Sequence, residues 1–187
     1  MTRTRGLLAA ATIAIGSVQA QPVPEDTRRI QNQKSDWELE QERRDWKEAK
    51  LLLPAYPKSD GLIEFFVSGA SSFRFYIDPL SLALGEDGVV RYTLVARSSS
   101  GVSNISFEGI HCANNAYRVF AHGNDGRWSP SSSDWRAIET RTVQRWHNEL
   151  RDRYFCPNQI RIWTAAEGLE ALRRGGHPSL TDRGRIR

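Results

Sequence analysis

The spacing of apolar positions gives the chain a strand-like middle part with helical patterns on either side. Between residues 61 and 128, β-branched and aromatic residues alternate with polar ones and are bounded by glycine, asparagine and serine clusters. The pattern predicts strands at residues 62–67, 73–77, 89–97, 104–112 and 116–122. Short gaps join the last three of these strands, so we expect antiparallel neighbours, because a parallel connection needs a crossover of a dozen residues or more.

The C-terminal part has the helical period. Apolar positions fall on one face at Val143, Trp146, His147, Leu150 and Tyr154. Residues 164–167 form a capping-box arrangement and Gly175 is placed as a stop, which predicts a second, shorter helix. Residues 159–163 are predicted as one more edge strand. The expected class is α+β, with an antiparallel sheet of about five to six strands covered by one long and one short C-terminal helix.

A charged segment precedes the strands. Residues 25–50 hold eight acids and seven bases. A short amphipathic helix is indicated by the spacing of Leu39, Glu42, Trp46, Ala49 and Leu53. Pro54 and Pro57 end it, since proline has no amide hydrogen and restricts the residue before it. We expect residues 51–57 to run as an extended connector over the surface of the domain.

The N-terminus has the pattern of a secretory signal peptide. Arg3 and Arg5 precede an uncharged, mainly apolar stretch over residues 6–18, and small residues lead to a predicted cleavage after Ala20. The stretch is shorter than the roughly 20 residues that a membrane-spanning helix needs, so an uncleaved anchor is the lesser alternative. We expect no transmembrane segment after cleavage. Cleavage removes two arginines and no acid, lowering the formal charge from +4 to +2, which argues against a nucleic-acid partner.

Two cysteines, Cys112 and Cys156, follow the predicted cleavage point. An even pair in an oxidising compartment predicts a disulfide, worth roughly 4 kcal/mol by the chain-entropy model. The bond would link the end of the long helix to the fourth strand. A redox-active pair is the alternative, but the spacing is not that of a C-x-x-C motif. The predicted organisation is therefore a signal peptide at 1–20, a charged helical arm and connector at 21–57, the α+β domain at 58–175 and a disordered basic tail at 176–187.

Several sequence blocks resemble the cryptic neisserial protein family (CNP1-like). They are the runs GVVRYTLV at 88–95 and NISFEGIHC at 104–112, with FRFYID at 73–78 and YFCP at 154–157 on their flanks. The resemblance implies a small exported bacterial protein, placed in the periplasm, with no established activity and no catalytic residue to carry over. It also matches both cysteines.

Glu108 is the candidate centre of a polar cluster in the sheet. If the faces of neighbouring strands coincide, it lies among Arg91, Arg118 and Arg74. The cluster would be either a structural ion-pair network, which we favour, or a site for an anionic ligand. A hydrolase that uses Glu108 with His111 or Asp78 and an arginine-lined pocket is the rival.

Trp37 and Trp46 on the charged arm are candidate residues for binding a partner or a glycan. The sequence holds no recognisable catalytic motif, and we expect no cofactor. His111, Cys112 and His122 lack the spacing of a zinc site, so no metal is expected either. The predicted function is an accessory protein that binds an envelope protein or a cell-wall component. Contact with anionic lipid headgroups is a third possibility.

Overall fold

The computed structural model describes residues 46–139 and 145–181, and its strands form one antiparallel sheet. The sheet follows chain order from β1 to β6, and β7 pairs with β5 beyond the end of β6. The strands are β1 (Ile63–Phe65), β2 (Phe73–Leu84), β3 (Val89–Ser98), β4 (Ser103–His111), β5 (Ala116–Asn124), β6 (Arg127–Pro130) and β7 (Arg136–Ala137). The α+β class and the antiparallel sheet are confirmed, whereas β6, β7 and the second half of β2 were not predicted.

Helices follow the sheet in the order predicted. α1 (Trp146–Glu149) continues without a break as a π-helix (Leu150–Phe155), and a 3₁₀ turn (Pro157–Gln159) leads to α2 (Ala165–Arg174) and α3 (Pro178–Thr181). The edge strand predicted at 159–163 is not formed. Asn158 and Gln159 have φ values of 56° and 66°, which a strand does not accommodate. Ile160 is extended, but residues 160–162 pair with no strand in the described part of the chain.

One face of the sheet packs on the helices. Tyr92 of β3 and Ile110 of β4 are fully buried there against Leu150 and Phe155 of the π-helix. Cys112 and Cys156 form the predicted disulfide at the point where β4 and the π-helix both end, with 5.6 Å between their Cα atoms. The bond therefore holds the helical layer on the sheet.

The opposite face is covered by residues 46–57, which we call the strap. Leu51 packs on the cluster of Phe107, Phe120 and Ala121, and Trp128 Nε1 donates to the Pro54 carbonyl at 2.9 Å. Residues 51–57 form neither helix nor strand and lie against this face through these contacts. The predicted helix is not present over residues 46–50, because this backbone bonds to the β2–β3 turn instead of to itself. The rest of the charged arm lies outside the described residues, as does the predicted signal peptide.

The chain remains ordered beyond α2. Thr164 caps α2 by accepting the Glu167 N–H, and Gly175 closes it at φ 73°, so the predicted short helix is confirmed. The His177 N–H then donates to the Arg153 carbonyl at 2.7 Å and α3 follows. The prediction of a disordered tail from residue 176 was therefore wrong for residues 176–181, and residues 182–187 lie outside the described part.

Candidate functional site

A cavity of about 610 Å³ lies between the helical face of the sheet and the start of α1. Most of its inner wall is apolar or aromatic, with Phe75, Leu94, Tyr117 and Trp146 among the side chains. Its mouth is formed by more exposed polar side chains from the β3–β4 and β5–β7 ends. Small-molecule sites have this size and this arrangement. We call it the cavity below.

Glu108 lies on the inner wall of the cavity and is only 2% exposed. Strand register pairs it with Tyr92, whose hydroxyl donates to Oε2 at 3.1 Å. Ser106, two residues earlier on the same face of β4, donates to Oε1 at 2.6 Å. His147 Nε2 of α1 lies 2.9 Å from Oε2. One carboxylate thus joins two strands to the helical layer.

The surroundings of Glu108 favour its charged form. Burial alone would raise its pKa, but the His147 ring and the hydroxyls of Ser106 and Tyr92 outweigh burial and lower the pKa. Burial, together with the charge of Glu108, raises the pKa of Tyr92. A carboxylate of low proton affinity that already accepts three hydrogen bonds is a good structural tie and a weak general base.

Arg91 and Arg118 lie on the opposite face of the sheet from Glu108. The register sets Gly109 of β4 opposite Arg91 on one side and Arg118 on the other, so both arginines share the face of Gly109. Glu108 is the next residue along the strand and points away from that face. The structure therefore does not bring the predicted cluster together.

Each of these arginines has its own acidic partner on the strap face. Arg91 Nη1 donates to Asp87 Oδ1 at 2.9 Å, and Arg118 Nη1 donates to Glu48 Oε2 of the strap at 2.6 Å. Both guanidinium groups lie over the Phe120 ring, at 5.4 and 5.5 Å from its centroid. The observed contacts are those of ion pairs and cation–π packing.

Arg74 lies on the outer part of the sheet, where it forms an exposed ion pair with Glu64 of β1. Asp78 sits at the bulge in β2, where its carboxylate accepts the Leu80 N–H at 3.1 Å. His111 lies on the strap face, and burial lowers its pKa. None of these three residues lines the cavity.

Trp46 packs within the described domain. Its ring meets the His111 and Trp135 rings edge-on at 5.0 and 5.6 Å, and its Nε1 donates to the Asp87 carbonyl at 2.6 Å. Trp46 thus anchors the strap to the sheet. Trp37 lies outside the described residues, so its predicted role in binding a partner stays a prediction.

His147 is the polar residue of the site that sequence reasoning missed. The helical pattern placed it on the face that packs on the sheet, and a histidine within an apolar stripe was the available signal for a buried partner. Ser106 had no such signal, because its role depends on a position two residues before Glu108 in a strand whose inner face was not known.

A second chain of hydrogen bonds joins Ser179, His177 and Glu167 near the end of the described region. His177 Nδ1 lies 2.8 Å from Ser179 Oγ, and its Nε2 lies 2.9 Å from Glu167 Oε1. The same Nδ1 also accepts the Ser179 backbone N–H at 3.2 Å. Ser179 is exposed at the start of α3, so this arrangement caps a helix and ties it to α2.

Within residues 46–139 and 145–181, no group of three or more histidine, cysteine, aspartate or glutamate side chains is arranged to hold a metal ion. Over the same residues, no helix combines the length and apolar character required to cross a membrane.

The fold and the site define a small α+β domain with a disulfide between sheet and helical layer and a cavity beside that layer. The chain belongs to the CNP1-like family, whose model matches residues 41–173. It is 28% identical over 151 residues to Cryptic neisserial protein 1 of Neisseria gonorrhoeae (strain ATCC 700825 / FA 1090), covering 72% of this chain and 74% of that protein. The family resemblance expected from the sequence is thus confirmed. No solved structure matches the chain significantly.

Proposed function

We propose that this protein is exported to the periplasm and binds a small component of the cell envelope in the cavity. The observation that carries the proposal is the cavity itself, about 610 Å³ with an apolar inner wall and a polar mouth. Ligand sites of proteins combine these features, in which apolar surface supplies affinity and a few polar groups fix orientation.

Export is supported by two independent features of the chain. The N-terminal residues have the order of a cleaved leader, with Arg3 and Arg5 before an apolar stretch and small residues up to Ala20. Cys112 and Cys156 are bonded, and structural disulfides are characteristic of oxidising compartments such as the periplasm.

The contacts of Glu108 favour binding over hydrolysis. The rival proposal requires this carboxylate to act with arginines on an anionic substrate, but Arg91 and Arg118 are paired on the opposite face. Ser106, Tyr92 and His147 hold the carboxylate in its charged form and lower its pKa, which makes it a poor proton acceptor. Glu108 instead shapes the wall by fixing α1 against the sheet.

A substitution that fills the cavity tests the proposal. Ala96 lines the cavity, whereas Ala137 of β7 is exposed and does not, so Ala96→Phe and Ala137→Phe form a matched pair. Mature wild-type protein and both variants are incubated with a soluble extract of the host envelope, desalted and examined by native mass spectrometry. We expect wild type and Ala137→Phe to retain a small molecule that Ala96→Phe loses. Equal retention by all three proteins, or retention by none, would contradict a ligand site in the cavity.

A further inference from the structure

The chemistry of the cavity walls indicates which class of ligand fits, an inference that rests on the proposed function. We infer that the ligand is an uncharged saccharide of about disaccharide size. Three properties of the cavity carry this inference: its charge balance, the hydrogen-bonding groups at its mouth, and the aromatic rings on its wall.

The charged groups that line the cavity do not favour an ionic ligand. Glu108 is the charged group of the inner wall, and Tyr92, Ser106 and His147 already hydrogen-bond to its carboxylate. At the mouth, Asp134 and Arg136 carry opposite charges. A cationic or anionic ligand would therefore meet charges of both signs at the mouth and gain no net counter-charge for the hydration it gives up.

The mouth is rich in uncharged hydrogen-bonding side chains. They are Ser103, Asn104, His122, Asn124, Ser131 and Ser133. Hydroxyl, amide and imidazole groups both donate and accept, as sugar hydroxyls do. The Ser133 hydroxyl already donates to the Val119 carbonyl at 2.6 Å, so it offers a ligand only an acceptor. An apolar ligand would leave most of these hydrogen-bonding side chains without a partner.

Aromatic rings on the inner wall supply flat apolar surface. Trp146 is stacked on Phe75, with 5.4 Å between ring centroids, and Tyr117 is stacked on His147 at 3.6 Å. Packing of this kind fixes the rings before a ligand arrives, which lowers the entropic cost of binding. A sugar ring presents C–H groups on its faces and hydroxyls around its edge, matching apolar rings beside polar side chains.

Two other ligand classes fit less well. An acyl chain in the cavity would place hydrocarbon against the Glu108 carboxylate and the hydrogen-bonding side chains of the mouth. A peptide added as a strand needs an unpaired strand edge, whereas the inner wall comes mainly from β2 to β5 within the sheet. The cavity volume of about 610 Å³ lies within the range of small-molecule sites and admits a ligand of two sugar rings.

The test is a calorimetric titration of the mature protein with two disaccharides, N,N′-diacetylchitobiose and cellobiose. Separate titrations with dodecanoate and with tri-alanine represent the acyl-chain and peptide classes. Tryptophan fluorescence is followed in parallel, because Trp146 lines the cavity. We expect at least one disaccharide to bind with a fluorescence change, and Trp146→Phe to weaken binding at least about tenfold and remove that change. Trp163, which is 78% exposed and outside the cavity, provides the control Trp163→Phe, with unchanged affinity expected.

Asn124→Ala is the second variant, since an exposed residue at the mouth is replaced without disturbing the core. We expect it to weaken disaccharide binding while leaving the circular dichroism spectrum and Tm unchanged. If dodecanoate or tri-alanine binds and neither disaccharide does, the inference of a saccharide ligand is wrong, while the proposal that the cavity is a ligand site still stands. Absence of binding by all four probes, while envelope extract still loads wild type and not Ala96→Phe, would also overturn the saccharide and leave the proposed function standing.

Discussion

Asp87 connects the strap to the sheet through both its side chain and its backbone. The carboxylate accepts hydrogen bonds from Arg91 and from the Ala49 N–H at 2.8 Å, while its carbonyl accepts the Trp46 indole. Burial alone would raise the Asp87 pKa, but Arg91 and the backbone N–H groups of Ala49 and Val89 outweigh it and lower the pKa to about 2. Asp87 therefore helps to hold the strap on its face, beside the Arg118–Glu48 ion pair and the Trp128–Pro54 hydrogen bond.

The low pKa of Asp87 predicts a dependence of stability on pH. The folded pKa of about 2 lies below the ordinary value of 3.8, so the stabilisation is complete above that value and is lost as pH falls through about 2. We expect Asp87→Asn to lower the free energy of unfolding by about 1 to 3 kcal/mol at pH 7, with the difference from wild type narrowing towards pH 2. Urea titrations at pH 7, 4 and 2 measure it, and a constant difference would contradict this role.

At the scale of elements, strand patterns predicted five strands near their observed positions because runs of β-branched and aromatic residues bounded by turn residues are a local property. β2 was predicted too short, since Pro79 and an exposed Leu80 interrupt the alternation where the strand bulges. Ser81 restores the ladder by accepting the Thr93 N–H at 2.7 Å. This hydrogen bond depends on the neighbouring strand β3, so the local sequence pattern does not predict that β2 continues.

The predicted cluster of Glu108 with arginines was wrong because it, too, depended on how neighbouring strands pair. Alternation gives the residues that share a face within β4, but the relation between faces of neighbouring strands depends on register. The observed register pairs Glu108 with Tyr92 and places Gly109 between Arg91 and Arg118. His147 entered the site from a helix 39 residues away in sequence, which local patterns do not reveal.

Gly109 tests how tightly β4 is packed on the strap face. An added Cβ would come within 2.7 Å of Val89 Cγ1 and 2.8 Å of Phe120 Cε2, closer than real side chains allow. We expect Gly109→Ala to lower the free energy of unfolding by about 1 to 3 kcal/mol because Phe120 must move from beneath the two arginines. Gly69→Ala is the control, since nothing lies within 4 Å of its Cβ. Equal thermal midpoints for the two variants would refute the close approach.

At the scale of the whole molecule, the two faces of the sheet differ in what covers them and in what they contain. The strap face is held by ion pairs and aromatic contacts around Arg91, Arg118 and Trp46. The helical face carries the cavity and is closed by the Cys112–Cys156 bond. That bond fixes the helical layer that contributes His147. If the protein is exported as we propose, formation of the cavity wall is coupled to oxidation of the two cysteines in the periplasm.

The most direct test of the proposed export and of the disulfide is the intact mass of the protein isolated from its native host, with free thiols alkylated before unfolding. We predict the mass of residues 21–187, less two hydrogens for the disulfide and with no alkyl group added. A chain that retains residues 1–20, or one that carries two alkylated cysteines in its folded state, would contradict the account.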